Sequence, residues 1–407
     1  MCAHLSLRLN RRAICTNHAS LGPPRREARL TFGGPRFGLV LASLLLLAFA
    51  TIAWPDIEPG EIPGGDAVEY VHVAAALLHG THLVDYDGPP RPTRYTPGFP
   101  LMLAPAVAVG GLEAAVWVSY LAALVLGALA ALLAFTLGGG LAAPLAVVLV
   151  LFTPAGLAMA RIIMSDLPSA TLVLAEAALL ALATSRRSAV AAGLLAGWLV
   201  WMRPASIVLI LAGLAGLSAT RRVVDRSIAY IAGVVVPVVL LGLWQWSVFG
   251  SPLLTSYQVA GASGGGSSEF DAFFSLGYVL GPPWNAYSQG AAPNLIVYVR
   301  GLLGLDAALV WPATGLVGLV SASLMARSRD ARGCVGRFTL AASLLTLLVY
   351  VPYFFREPRF LIVPAVLNGV TAAVLIGGLI PRALGGLRAN SSAACRRWTR
   401  RSDAVGR

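Results

Sequence analysis

Residues 114–136 read AAVWVSYLAALVLGALAALLAFT, a run without a single charged side chain. At a rise of ~1.5 Å per residue, about 20 apolar residues cross the ~30 Å hydrocarbon layer of a bilayer as a helix. Similar runs recur along the chain, which has 407 residues, is 57% hydrophobic and has a mean hydropathy of +0.76. The sequence therefore predicts a polytopic membrane protein of the all-α class, with a helix bundle in lipid as its core.

The apolar runs predict about ten transmembrane helices. They lie at 37–54, 114–136, 141–160, 167–184, 189–202, 204–219, 228–249, 302–326, 338–354 and 360–380. The fifth and sixth runs are short and only Arg203 separates them, so they form either a tight hairpin or a distorted pair. We expect a transmembrane domain at 37–380 between basic tails at 1–36 and 381–407. The first run is nearer a full span than a short signal-peptide core, which favours an uncleaved anchor over a signal peptide.

The arginines predict how the chain crosses the membrane. All 30 basic residues are arginine. A cytoplasmic N-terminus places 23 of them in cytoplasmic segments and seven outside, as the positive-inside rule requires. The sequence thus predicts a multi-pass protein of the cell (plasma) membrane with both termini in the cytoplasm. The net charge of +12 does not predict binding to nucleic acid, because the arginines are dispersed over short loops and the two tails.

This orientation leaves two long loops outside, at 55–113 and 250–301. The first loop holds five carboxylates within 14 residues, in a chain of which only 12% is charged: Asp56, Glu58, Glu61, Asp66 and Glu69. Carboxylates held against a membrane are costly to desolvate. Their concentration here predicts chemistry or ion binding on the external face.

Two helices are predicted within the first external loop. Residues 66–79 follow Gly64 and Gly65 and carry an apolar stripe, so a helix is expected with Asp66 at its N-cap. From spacing alone, Asp66 is equally well a helix cap or a catalytic group. Residues 98–111, GFPLMLAPAVAVGG, are too short and too rich in proline for a span, and are predicted to lie in the membrane interface or re-enter it.

Five motifs, taken in order, resemble a known family. They are GDAVEYVHVAAALLHG (65–80), RYTPGFPLML (94–103), RIIMSDLPS (161–169), WMRPAS (201–206) and REPRFLIVP (356–364). This ordered set resembles the GT-C glycosyltransferases, membrane enzymes that use polyprenyl-phosphate sugars, such as the protein mannosyltransferases and the lipid A aminoarabinose transferase. The chain departs from the family pattern at Phe360, where tyrosine is usual, and in the first loop, where a single Asp66 is followed by Glu69 rather than by a clear acidic pair.

The resemblance implies roles for three carboxylates. An acceptor hydroxyl needs a base near neutral pH, and attack at the anomeric carbon passes through an oxocarbenium-like state. Asp66 is the expected base, with Glu69 as the candidate for a shared site. Asp166 is the second acidic residue: it either orients the acceptor, binds a divalent cation such as Mg²⁺ or Mn²⁺ together with Asp66, or caps the helix that begins at Leu167.

A departing lipid phosphate needs positive charge, and the arginine fork binds phosphate oxygens in pairs. Arg359 is the first candidate for this role, with membrane anchoring as the alternative. Further candidates are Arg356, Arg203 and Arg94, and Arg161 is expected to pair with Asp166. Tyr95, Trp284 and Tyr287 are expected in the substrate loops, where Trp284 and Tyr287 either anchor in the interface or stack on sugar.

Together these features predict an enzyme that moves a sugar from a polyprenyl-phosphate-linked donor to a lipid, glycan or protein acceptor on the outer face of the membrane. The alternative is a membrane transporter or lipid flippase. Transporters place polar groups near the bilayer midplane, where this chain has only Glu176, which is expected to form a hydrogen bond between helices. The enzyme is therefore favoured.

Overall fold

The computed structural model describes residues 35–55, 66–81, 83–84, 91–93, 95–254, 258, 274–281, 292–305, 311–353 and 355–380. Most of the two basic tails and most of the acidic connector before Asp66 lie outside these residues. So do three of the predicted site residues: Arg94, Trp284 and Tyr287.

The described chain is almost entirely helical. Its helices are α1 (Pro35–Ile52), α2 (Ala67–Leu78), α3 (Gly98–Ala114), α4 (Val116–Gly138), α5 (Ala142–Leu151), α6 (Pro154–Met159), α7 (Asp166–Leu182), α8 (Arg186–Met202), α9 (Leu209–Leu217), α10 (Val223–Phe249), α11 (Gly277–Leu280), α12 (Asn294–Leu303), α13 (Thr314–Met325), α14 (Ala331–Tyr350) and α15 (Pro358–Ile380). Two short strands, β1 (Leu83–Val84) and β2 (Arg91–Pro92), pair in antiparallel orientation, which the sequence did not predict.

Helices α4, α10, α14 and α15 are long and apolar enough to cross a membrane, by length and composition. Shorter apolar helices, among them α1, α5, α12 and α13, accompany them. The prediction of a helical membrane protein is confirmed. The predicted number of about ten spans stays a prediction, since these short helices do not by themselves establish a crossing.

Two of the predicted spans are not continuous helices. The span at 302–326 was wrong, because α12 ends before Gly304, which has a left-handed backbone (φ 73°), and α13 begins only at Thr314. The span at 141–160 is divided at Pro154. Thr153 is extended there, as a residue before proline prefers, and its hydroxyl accepts a 2.9 Å hydrogen bond from the Gly156 N–H to start α6.

Small residues set the closest helix packing in the bundle. Helix α8 packs along α10, and a Cβ placed on Gly193 would lie 2.0 Å from the Tyr230 carbonyl oxygen. On α10, a Cβ on Gly233 would lie 2.2 Å from the Val190 carbonyl oxygen. Glycine at these positions lets the two backbones approach, as is common for helices in membranes.

The predicted interhelical hydrogen bond of Glu176 is confirmed. Glu176 is fully buried in α7, and its Oε1 accepts a hydrogen bond of 2.7 Å from the Tyr230 hydroxyl on α10. Nearby, buried Arg226 donates to the carbonyl oxygens of Leu180 and Ala183, at 2.8 and 2.7 Å. This arginine therefore satisfies acceptors at the C-terminal end of α7 that the helix itself leaves unpaired.

Candidate functional site

Asp66 stands directly before α2, which confirms the helix predicted for this part of the first loop. Its side chain makes no capping hydrogen bond to the helix. Instead its Oδ2 accepts a hydrogen bond of 2.9 Å from Nη2 of Arg359, 293 residues further along the chain. Asp66 thus occupies the position of an N-cap while its carboxylate bonds to another part of the fold.

Asp166 lies in the first turn of α7 and is fully buried. Its Oδ1 accepts a hydrogen bond of 2.7 Å from Nη2 of Arg203. The neighbouring Ser165 accepts a second one, of 3.0 Å, from Nε of the same arginine. The expected pair between Arg161 and Asp166 was wrong, because Arg161 donates to the Ile52 carbonyl oxygen, which α1 presents at its C-terminal end.

Arg203 owes its position to the proline that follows it. Pro204 disfavours a helical backbone at the preceding residue, and Arg203 is extended (φ −149°, ψ 111°), which ends α8. The chain then resumes as a 3₁₀ turn, Pro204–Val208, that leads into α9. The break between these two short helices therefore directs the guanidinium of Arg203 toward the start of α7.

Arg359 belongs to the 3₁₀ turn Pro358–Leu361 that starts α15. Besides its bond to Asp66, its Nη1 lies 4.0 Å from Oδ2 of Asp166, and its Nε forms an ion pair with Glu357. We call Asp66, Asp166, Arg203, Glu357 and Arg359 the charged cluster. It unites four distant parts of the chain and sets two guanidiniums against three carboxylates.

Burial shapes the electrostatics of the charged cluster. Burial by itself lowers the pKa of Arg203, but the charge and hydrogen bond of Asp166 together with Tyr350 and Tyr70 more than offset this, so that the pKa lies above its ordinary value. Burial raises the pKa of Glu357, and Asp66 and Asp166 act in the same direction, while Arg359 opposes them. Arg203 consequently stays protonated, whereas the ionised form of Glu357 is disfavoured.

The remaining described candidates lie around this cluster. Glu69 accepts a hydrogen bond of 2.7 Å from the Thr93 hydroxyl, which connects α2 to the segment after β2. Tyr95 is buried, with its ring 4.3 Å from that of Tyr70. Arg356 is also buried and donates to the Ala292 carbonyl oxygen. These contacts support the loops that carry the cluster.

Three residues of the site were not among the sequence candidates. Glu357 pairs with Arg359, Ser165 accepts from Arg203, and the Tyr70 hydroxyl lies 3.4 Å from the Ser165 hydroxyl. Glu357 could have been found, because it stands two residues before Arg359 in REPRF. Ser165 and Tyr70 carry no such signal, since their role depends on where α2 meets α7.

The predicted divalent cation between Asp66 and Asp166 does not fit this arrangement. The guanidinium of Arg359 lies between the two carboxylates, 2.9 Å from one and 4.0 Å from the other. Within the described residues, no group of three or more His, Cys, Asp or Glu side chains could hold a metal ion. A cation could bind there only after Arg359 had moved away.

No protein-family model and no curated protein sequence matches the chain. Solved structures of similar shape do exist. ArnT from Cupriavidus metallidurans in the apo state matches with a TM-score of 0.56 and 16% identity, over 88% of this chain and 64% of ArnT. The oligosaccharyltransferase of Archaeoglobus fulgidus in complex with Zn and sulfate matches with a TM-score of 0.55 and 12% identity, over 84% of this chain and 49% of that chain.

The chain has the GT-C fold. The same ArnT bound to undecaprenyl phosphate matches with a TM-score of 0.54 and 15% identity, over 88% of this chain and 63% of that one. The chain thus spans less than two thirds of ArnT and about half of the oligosaccharyltransferase. At these identities the likeness concerns the GT-C fold alone, and the activity has to be argued from the charged cluster.

Proposed function

We propose that this GT-C protein is a glycosyltransferase that moves a sugar from a polyprenyl-phosphate-linked donor to an acceptor on the outer face of the membrane. The observation that carries the proposal is the hydrogen bond of 2.9 Å between Asp66 and Arg359. It sets a candidate base beside a candidate phosphate-binding cation. The structural neighbours support the donor class, since ArnT was solved with undecaprenyl phosphate and the archaeal oligosaccharyltransferase AglB with dolichol-phosphate.

In the proposed reaction the acceptor hydroxyl attacks the anomeric carbon of the donor sugar. The bond between that carbon and the phosphate oxygen breaks, and the lipid phosphate leaves with the bonding electrons. The hydroxyl proton passes to Asp66, the general base. The side chain of Asp66 is 23% exposed, so an acceptor can reach it without unfolding the loop.

Arg359 and Arg203 supply the positive charge that a departing phosphate needs. Asp166 is fully buried and bonded to Arg203. Its proposed role is therefore to hold the two guanidiniums in place rather than to contact the acceptor. Arg356 and Arg94 remain further candidates for the phosphate, and Trp284 and Tyr287 for the sugar. No step is assigned to a divalent cation.

The acceptor is proposed to be an external lipid, glycan or protein, and the transferred group a hexose or a pentose. The predicted orientation, with both basic tails in the cytoplasm, places the charged cluster on the outer side. A flippase would move the lipid-linked sugar without cleaving it. The two activities therefore differ in whether the sugar–phosphate bond survives.

The deciding experiment compares a strain in which the gene is deleted with the same strain carrying either the wild-type gene or Asp66→Asn. Lipid-linked sugars and envelope glycans are measured by mass spectrometry. A glycosyltransferase predicts that one lipid-linked sugar accumulates, and one glycan loses a sugar, in both the deletion and the Asp66→Asn strain. Identical lipid-linked sugars and glycans in all strains would overturn the proposal.

A further inference from the structure

Each nitrogen of the Arg359 guanidinium already has a neighbour among the carboxylates, and Nη1 also donates to the Met164 sulfur at 3.5 Å. Its Nη2 bonds to Asp66, its Nη1 lies 4.0 Å from Asp166, and its Nε pairs with Glu357. Paired binding of two phosphate oxygens uses two N–H groups of one guanidinium. A phosphate that binds Arg359 in this way therefore competes with the carboxylates for the same guanidinium.

Asp66 and Asp166 are poorly suited to leave. Asp166 is fully buried and bonded to Arg203, so that its departure would strand a buried charge. Asp66 is the proposed base and must remain next to the reacting sugar. Glu357 has the most exposed side chain of the three carboxylates, at 30%, and it lies on the extended connector before the 3₁₀ turn rather than within a helix.

We infer that Glu357 is a positioning residue that holds Arg359 in the donor-free enzyme and gives up this place when the phosphate of the lipid-linked donor arrives. The inference rests on the proposed function. Glu357 keeps Arg359 directed at the cluster while no donor is bound, and competes with the phosphate for the guanidinium. Replacing it with a neutral residue should therefore tighten donor binding.

The surroundings of Glu357 give this competition a pH dependence. Among the described residues, Arg359 faces its carboxylate, and Asp66, Asp166, Arg356 and Tyr298 are the other charged or titratable groups around it. The backbone N–H of Glu357 also donates to the Tyr298 hydroxyl, at 3.3 Å.

Burial raises the pKa of Glu357. As the pH falls through this raised pKa, the carboxylate takes up a proton and releases Arg359. A lipid phosphodiester, whose own charge does not change with pH in this way, should therefore bind more tightly at the acid end.

The test uses the full-length protein in nanodiscs and a methyl phosphodiester of undecaprenol as the probe. This probe is a phosphodiester without a second ionisation, so it keeps one negative charge across the measured range of about pH 8 to about pH 5. Binding is measured for the wild type, for Glu357→Gln, and for Glu113→Gln as a matched control. Glu113 is exposed at the end of α3, outside the charged cluster.

At the alkaline end, Glu357→Gln should bind the probe about two- to fivefold more tightly than the wild type, the range expected for loss of one partly exposed ion pair. The wild type and Glu113→Gln should bind the probe more tightly as the pH falls, whereas the affinity of Glu357→Gln should not increase in this way. Equal or weaker binding by Glu357→Gln, with its unfolding temperature unchanged, would overturn this inference and leave the proposed function standing. A folded wild type that does not bind the probe at all would overturn the proposed function as well.

A kinetic measurement provides a second readout. If Glu357 only competes with the donor, Glu357→Gln should lower the KM for the donor and leave kcat within about twofold, because the groups that act in the transition state are untouched. A fall in kcat with an unchanged KM would instead assign Glu357 to the chemical step and overturn the inference.

Discussion

Nη2 of Arg359 lies 2.9 Å from Oδ2 of Asp66, and this contact joins the start of α15 to the start of α2. Asp66 does not cap its helix, and Arg359 lies in a 3₁₀ turn. Neither helix therefore needs this contact in order to form. The pair therefore supports the proposed site, in which Asp66 is the base and Arg359 binds the phosphate.

The first prediction concerns the base. Asp66→Asn keeps the size of the side chain and a hydrogen-bond acceptor for Arg359, but cannot take up the acceptor proton. Sugar transfer should fall by about 10²- to 10⁴-fold, the usual contribution of a general base, while expression and membrane insertion persist. The rate of transfer in proteoliposomes measures this, with Glu113→Gln as the control. Wild-type turnover in Asp66→Asn would remove Asp66 from the role of base.

The second prediction concerns the phosphate. Arg359→Ala should weaken the binding of undecaprenyl phosphate by about 1.5–3 kcal/mol, the range for hydrogen bonds to charged groups. That change corresponds to roughly 10- to 150-fold in affinity. Arg359→Lys should recover only part of it, because lysine keeps the charge but lacks the planar fork. Binding titrations on the purified protein decide the matter, and unchanged affinity in Arg359→Ala would exclude the residue from the donor site.

The third prediction concerns the buried pair of Asp166 and Arg203. Arg203→Gln leaves a fully buried carboxylate without its main partner, which should destabilise the protein by about 3–5 kcal/mol. The double variant Asp166→Leu with Arg203→Met should regain much of this stability and remain inactive. Thermal unfolding in detergent and the transfer rate are the two measurements.

Arg186→Gln serves as the control for this pair, because its ion pair with Asp225 lies at the surface and should affect unfolding little. If Arg203→Gln is no less stable than Arg186→Gln, the ion pair of Asp166 with Arg203 does not hold the site together.

The fourth prediction concerns divalent cations. Because Arg359 already lies between Asp66 and Asp166, its guanidinium can neutralise the carboxylates without a metal ion. Treatment with a chelator should leave the rate of sugar transfer unchanged, and added Mg²⁺ or Mn²⁺ should not raise it. A loss of activity that Mg²⁺ or Mn²⁺ restores would show that a cation replaces Arg359 in the active state.

The local features of the site could be predicted from sequence. The helix after Gly65 and the helix that begins near Gly98 follow from apolar periodicity and from glycine and proline positions, which act over a few residues. The break at Arg203 follows from the proline after it. The candidate roles of Asp66 and Arg359 came from motifs that resemble a family, and the structure then placed the two residues in contact.

Pairings across the fold could not be predicted in this way. Arg161 stands a few residues before Asp166 and was the expected partner, but α1 presents a carbonyl oxygen to it while Arg203 reaches Asp166 from the end of α8. The predicted spans place Arg226 in a cytoplasmic loop, yet it lies in α10 and is buried against the end of α7. In each case the partner is set by how helices pack, which no local pattern encodes.

The sequence by itself determined that this chain is a helical membrane protein with an acidic loop. It also determined which residue types are present that could bind a lipid phosphate. Hydropathy and charge decide this, because each run of residues partitions between lipid and water largely by its own composition. Only the tertiary structure decided which charges meet. Asp66, Asp166, Glu357, Arg203 and Arg359 become one site because α2, α7, α8 and α15 bring their ends together, and a buried charge is stable only beside its partner.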